Sequence, residues 1–262
     1  MKVSALQYDI IWEDPATNFR RLIPWIDAAA GAGTRLLVLP EMFACGFSMN
    51  TQVIAEPVGG PTTEFLHDQA RRTGMWIGGS LPERDDEATR PRNTFVVASP
   101  NGDLVRYHKI HPFSAAREDR HYEAGTAFQT VNIDGLRVTL FVCYDLRFAD
   151  EFWQTGPSTD CFVVVANWPD RRRHHWQTLL RARAIENQAY VVGVNRVGEA
   201  SGLDYAGDTA IIDCWGHVLA EASIAETLVM AEVSADEVAR ARETFPFLAD
   251  RRTARPVVPP GR

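Results

Sequence analysis

Between residues 136 and 142 the chain alternates, with Leu136, Val138, Leu140 and Val142 set against Arg137, Thr139 and Phe141. Side chains two apart share a face of a strand, so this stretch predicts a β-strand with one strongly apolar face. It runs directly into Cys143, and a helix-like segment then extends to about Gly156. Upstream, residues 2–8 read as a buried strand, and a helix follows from Pro15 to about Ala32, with Asp14 as N-cap and Gly31 and Gly33 at its stop. Leu36-Leu37-Val38-Leu39 is wholly apolar, as expected of a short strand covered on both faces, and it ends in Pro40-Glu41. A helix over 62–73, closed by Gly74, leads into a strand over 75–81 and a polar loop over 82–92. Residues 94–98 and 104–108 then form a hairpin about Pro100-Asn101-Gly102-Asp103, whose second arm delivers Lys109.

Beyond an irregular stretch over 111–125 and the strand that ends at Cys143, strand and helix alternate again. The pattern predicts a strand over 161–166, a helix over 170–188 and a strand over 190–195. Two further strands near 209–213 and 218–222, a closing strand over 228–233 and a short helix near 235–244 complete it. With no linker, repeat or low-complexity block, residues 1–250 read as one α/β domain, and 251–262, rich in Pro and Arg, as an extended tail. The hairpins favour a mixed sheet, or two sheets, over a purely parallel one.

Composition narrows the function classes. A hydrophobic fraction of 45% with 23% charged residues is that of a globular chain able to bury a substantial core. A net charge of −7 gives no electrostatic case for nucleic acid or an anionic membrane. The one dense basic run, Arg171-Arg172-Arg173-His174-His175, is too short to define a binding face, and its His174-His175 pair, without the spacing or third ligand of a metal site, reads as a solvated helix start. No apolar run approaches the ~20 residues of a membrane span. The N-terminus enters a strand pattern without a signal peptide's apolar core, and Cys45, Cys143, Cys161 and Cys214 are scattered without a disulfide framework. A cytoplasmic location is the simplest expectation, and nothing in the sequence requires a metal or organic cofactor.

Three residues of complementary chemistry follow strands: Glu41, Lys109 and Cys143. In α/β proteins the carboxyl ends of strands are where sites are built. A thiol at a strand-to-helix junction is expected to be exposed and close to helix amides, which favours its thiolate. The bland alternative is a small buried hydrophobe. A carboxylate in an enclosed site can act as base toward a cysteine, and a lysine can stabilise a developing oxyanion. Taken singly, Glu41 reads as well as a loop carboxylate and Lys109 as a surface charge.

The segments around them are recognisable together. Leu39-Pro40-Glu41-Met42-Phe43, His108-Lys109-Ile110-His111-Pro112-Phe113 and Val142-Cys143-Tyr144-Asp145-Leu146-Arg147-Phe148 resemble the three signatures of the carbon–nitrogen hydrolase (nitrilase) superfamily. Flanking stretches, among them Ala166-Asn167-Trp168-Pro169 and Gly193-Val194-Asn195-Arg196-Val197-Gly198, resemble its bacterial ω-amidase branch. The resemblance implies an α-β-β-α sandwich that pairs into homodimers or larger assemblies. It implies Cys143 as nucleophile, Glu41 as general base, Lys109 as oxyanion cation and the Tyr144 N–H as second donor. The substrate would be a small linear amide, such as the ω-amide 2-oxoglutaramate, cleaved to acid and ammonia through a thioester. An N-carbamoyl amino acid amidohydrolase or a nitrilase would share these residues, and a redox-sensing or non-catalytic relative would keep only the fold. A second family glutamate falls on Glu118 or Glu123, with spacing to Gly125 favouring Glu118. Phe43, Tyr144, Arg147, Asn167 and Trp168 are the expected substrate contacts. Arg147 reads equally as a carboxylate fork or as a partner of Asp145 or Asp150, and Glu186 as a site residue or as a partner of Arg181 or Arg183.

Overall fold

In the computed structural model, residues 1–86 and 88–252 are described. The alternation seen along the strands becomes two differently covered faces. Val3, Ala5, Leu36, Val38, Phe95 and Val97 point to one side of their sheet, and Leu6, Leu37, Leu39, Ile77, Val96 and Ala98 to the other. Among the described residues, this first sheet has seven strands, with Lys2–Gln7 between Thr227–Glu232 and Leu36–Val38, followed by Trp76–Arg84, Arg92–Ala98 and Leu104–His108, and with the short Glu56–Pro57 pairing beside Trp76–Arg84. The second has six, running from Val218–Glu221 through Ala210–Ile212, Tyr190–Asn195, Cys161–Ala166 and Leu136–Val142 to Thr130–Ile133. Both mix parallel and antiparallel pairs.

The sheets pack face to face. Val3, Leu36 and Phe95 of the first share one apolar cluster with Val138, Leu140 and Val163 of the second. The outer face of the first sheet is covered by the helices Pro15–Gly31 and Pro61–Thr73 through Leu22, Ile26, Leu66 and Ala70. The outer face of the second is covered by Arg173–Asn187 and Ala149–Thr155, through Trp176, Leu180, Ala184 and Phe152. The chain is thus the α-β-β-α sandwich its motifs imply. Asp14 caps the first helix as expected, Oδ1 accepting from the Thr17 N–H at 3.0 Å.

Some elements differ from the pattern reading. Leu136–Val142 is covered on both faces, because Phe141 stacks on Phe152 at 4.1 Å while Thr139 joins a hydroxyl chain with Thr130 and Thr159. The segment after Cys143 is a single 3₁₀ turn, Cys143–Arg147, and the α-helix begins only at Ala149. A hairpin of Val197–Ala200 and Leu203–Ala206, turning at Ser201 and Gly202, escaped the alternation because its strands are only four residues long. Of the expected tail, Arg251 is tied to the Trp153 carbonyl (2.8 Å) and Asn187 Oδ1 (2.7 Å); residues 253–262 lie outside the described residues. Among the described residues no helix is long and apolar enough to cross a membrane.

Candidate active site

Strand ends from both sheets meet at one point. Leu36–Val38 carries Glu41, Leu104–His108 carries Lys109, Leu136–Val142 carries Cys143 and Cys161–Ala166 carries Asn167. Glu41 is fully buried. Its Oε1 accepts from Lys109 Nζ at 3.0 Å and Asn93 Nδ2 at 2.8 Å, and its Oε2 from the Asn167 N–H at 2.8 Å. Asn167 Nδ2 returns to the Glu41 carbonyl at 2.6 Å, so the glutamate is held from both ends. Lys109 Nζ also donates to both oxygens of Glu118, at 3.0 and 2.8 Å. Glu118 is itself fully buried and takes the Phe113 N–H at 2.5 Å. Glu123 instead pairs with Arg92 at 3.3 Å, so of the two candidate glutamates Glu118 is the one at the lysine.

The charges follow from this packing. Burial alone would lower the Lys109 pKa, yet the carboxylates of Glu118 and Glu41 outweigh it and hold the ammonium well above its usual value. Burial pushes Glu118 up, partly opposed by Lys109. Burial and then the Glu41 carboxylate push the Cys143 thiol well above its usual range, against the pull of Lys109. The features expected to favour the thiolate are thus weaker than the sequence suggests: a lone 3₁₀ turn supplies little helix-terminal field, and the neighbouring carboxylate acts against it. Such a thiol reacts only as its proton leaves, which requires a base.

Cys143 has a left-handed backbone, φ +46, unusual outside glycine. That kink turns its side chain off the strand and into a cavity of about 400 Å³. Asp145 braces the turn, accepting from the Val142 N–H at 3.0 Å, Tyr107 OH at 2.8 Å and the His111 N–H at 2.9 Å. Cys143, Tyr144, Arg147, Asn167 and Trp168 line the cavity, as expected of substrate contacts. Arg147 lies 4.6 Å over the Trp168 ring and donates to His175 Nδ1 at 3.2 Å; neither Asp145 nor Asp150 pairs with it.

Phe43 is a correction. The strand ends at Val38, and in the turn that follows Met42 has a left-handed φ, +46, with Phe43 packed into the outer core beside Leu6, Leu39 and Leu81. The aromatic wall comes instead from Phe47, Phe113 and Tyr205, with Lys109 Nζ 5.2 Å from the Phe47 ring centre. Sequence reasoning missed these, and Asn93 and Arg172 with them. Tyr205 sits on the unforeseen hairpin, and a buried Asn opening an apolar strand was the one signal for Asn93. Glu186 pairs with Arg183 at 2.9 Å and is not part of the cavity wall. Cys45 is buried in a satellite cluster with Met42, Ile54 and Tyr122. Among the described residues no group of three or more His, Cys, Asp or Glu side chains is arranged to hold a metal.

A buried carboxylate, a buried ammonium and a thiol at a cavity floor can together carry out nucleophilic hydrolysis. The chain is 38% identical over 253 residues to an omega-amidase, YafV, of Yersinia enterocolitica, covering 95% of this chain and 96% of the relative. It is 33% identical to a 2-oxoglutaramate amidase of Bacillus subtilis, covering 95% and 97%. A crystal structure of a carbon-nitrogen hydrolase superfamily protein from Xanthomonas campestris, with an arsenic adduct in its active site, superposes with a TM-score of 0.92 at 36% identity, covering 98% of this chain and 99% of that one. Residues 2–243 match the Carbon-nitrogen hydrolase family, and with relatives of this identity over nearly the whole chain, the protein belongs to that family.

Proposed function

We propose that the protein is an amidase that hydrolyses small ω-amides of dicarboxylic or 2-oxo acids, such as 2-oxoglutaramate, to the acid and ammonia. The observation that carries this reading is the Glu41–Lys109–Glu118 ion cluster buried beneath a cavity lined by Cys143. In this reading Glu41 takes the thiol proton as Sγ attacks the amide carbonyl, forming the C–S bond. Lys109 and the Tyr144 N–H stabilise the tetrahedral oxyanion. The proton returns to the departing nitrogen, ammonia leaves, and a thioester remains on Cys143. Water, deprotonated by Glu41, then adds to the thioester; the C–S bond breaks and the thiolate recovers the proton. Glu118, bonded twice to Nζ, holds Lys109 in place and charged.

Cys143→Ala is expected to fold normally and release no ammonia from an ω-amide panel. The wild type, quenched in acid during turnover, is expected to carry the acyl mass on Cys143. Turnover by the alanine variant, or acylation at Cys45 alone, would refute the assignment. We also read the protein as a cytoplasmic homodimer, supported by four unpaired cysteines and by Trp153 and Ile185 exposed on the helices that cover the second sheet. Light scattering at micromolar concentration tests the assembly, and a purely monomeric mass would overturn it.

A further inference from the structure

The cavity is not electrically neutral at its rim. Arg147, Arg171 and Arg172 all line it, and among the described residues none of the three pairs with an Asp or Glu. The next arginine, Arg173, is by contrast held by Asp208 at 2.7 Å. Guanidinium groups stay charged at any physiological pH, so in a chain of net charge −7 three uncompensated ones at a single mouth form a local positive field. The rest of the wall is aromatic and apolar, from Phe47, Phe113, Trp168 and Tyr205. A ligand suited to both is a short apolar chain with an anionic end.

The three arginines are not equivalent. Arg171 is exposed to solvent, where a charge pair is worth little. Arg147 is already engaged by the Trp168 face and by His175. Arg172 is half-buried, lies 5.4 Å from the Phe113 ring centre, and its guanidinium has no hydrogen-bond partner in the protein among the described residues. Burial, with the adjacent Arg171 and Arg147, lowers its pKa, the sign of a cation that lacks a counter-charge. Its backbone is fixed: the Trp168 indole N–H donates to the Arg172 carbonyl at 2.8 Å, and the Arg172 N–H to the Pro169 carbonyl at 3.0 Å. Trp168 is in turn fixed by Asn195, whose Oδ1 accepts its N–H at 2.7 Å and whose Nδ2 donates to its carbonyl at 3.0 Å. The planar fork of Arg172 is thus presented by a pre-formed loop with its donors unused, which suits a carboxylate.

We propose that Arg172 is the specificity-determining residue of the site, its guanidinium binding the distal carboxylate of a linear ω-amido acid whose amide lies at Cys143. This rests on the amidase reading above and adds the residue that chooses the substrate. Arg147 then lines the channel through its stack on Trp168 without being the main anion contact. A basic run too short, from sequence, to define a binding face thus supplies the selective end of the pocket.

The test compares two amides of equal length, the monoamide of a five-carbon dicarboxylic acid and neutral pentanamide, on the wild type, Arg172→Met, Arg172→Lys and Arg147→Met. Hydrogen bonds to a charged group contribute about 1.5–3 kcal/mol, which is roughly 10- to 150-fold. The ratio of kcat/KM for the acidic over the neutral amide is expected to fall by roughly that factor in Arg172→Met, chiefly through KM. Arg172→Lys, which keeps the charge but loses the fork, is expected to recover part of it. An unchanged ratio in a folded Arg172→Met that still releases ammonia would overturn the proposal while leaving the amidase reading intact. So would a selective loss confined to Arg147→Met. Absence of ammonia release from both amides by the wild type would overturn the amidase reading, and this proposal with it.

Discussion

At the scale of single residues, the site depends on charges kept close together without water. Lys109 has two carboxylates within 3.0 Å and almost no exposure, so each group's ionisation is set by the others. The Cys143 thiol feels Glu41 and Glu118 raising its pKa and Lys109 lowering it. Glu118→Gln removes one of the raising charges and leaves the lysine's positive charge less compensated. The pH midpoint of iodoacetamide labelling at Cys143 should therefore move downward, toward a more readily formed thiolate. Activity should fall all the same, by about 10²–10³-fold, as when one oxyanion donor is lost, because the amide of glutamine no longer fixes Nζ as the carboxylate does. A more reactive thiol in a less active enzyme separates the positioning of Lys109 from activation of the nucleophile. An unchanged or upward midpoint would show that Glu118 does not act on the thiol.

At the scale of elements, what matters is how the lysine segment, the nucleophile turn and the helix Ala149–Thr155 are joined. His111 performs that joining: Nδ1 lies 3.1 Å from Asp145 in the turn, Nε2 lies 3.4 Å from Glu151 in the helix, and the ring stacks on Phe148 at 3.7 Å. Burial would lower the His111 pKa, but the hydrogen bond and charge of Asp145, with Glu151 and Asp150, raise it overall. A histidine whose folded pKa is raised stabilises the fold fully below its unfolded value of about 6.5, and that contribution is lost as pH rises through the folded value. His111→Gln should therefore destabilise the protein more at about pH 6 than at about pH 9, where the wild-type imidazole is neutral. Denaturant midpoints of both proteins at the two pH values measure it, and a pH-independent difference would contradict the clamp. The same joints explain what was and was not legible in the sequence. The strand ends before Glu41 and Cys143 could be read because the apolar run over 36–39 and the alternation over 136–142 each stop, and Lys109 because the turn over 100–103 fixes its hairpin. Phe43 could not, because it lies past the strand in a turn whose left-handed Met42 no hydrophobic periodicity reveals. Nor could the 3₁₀ turn after Cys143, since Tyr-Asp-Leu-Arg-Phe is as compatible with an α-helical start as with the tighter turn that Asp145 imposes by bonding the Val142 N–H.

At the scale of the whole molecule, the site is a seam. Glu41 and Lys109 come from the first sheet and Cys143 and Asn167 from the second, so the site exists only when the two inner faces are packed. No local pattern encodes that meeting, which is why the aromatic wall and Arg172 emerged only from the fold. Across this seam the Asn167 N–H meets Glu41 Oε2 at 2.8 Å, and Lys109 neutralises carboxylates that no solvent reaches. Lys109→Met should therefore damage the fold as well as the chemistry, whereas Cys143→Ala should damage the chemistry alone. Breaking a buried pair by removing one partner costs about 3–5 kcal/mol, because the surviving charge is left in a poor solvent. Here two carboxylates survive, and each can escape by taking up a proton. Unpaired in the folded variant, they acquire pKa values above the unfolded value of about 4.3, so the variant is least destabilised when they are protonated and loses stability as pH rises. The deficit of Lys109→Met relative to wild type should thus be larger at about pH 8 than at about pH 5, read as the gap between their urea midpoints. A deficit that stayed constant with pH, or grew toward acid, would mean that the lysine is held for its reach into the site and not for the charge it neutralises.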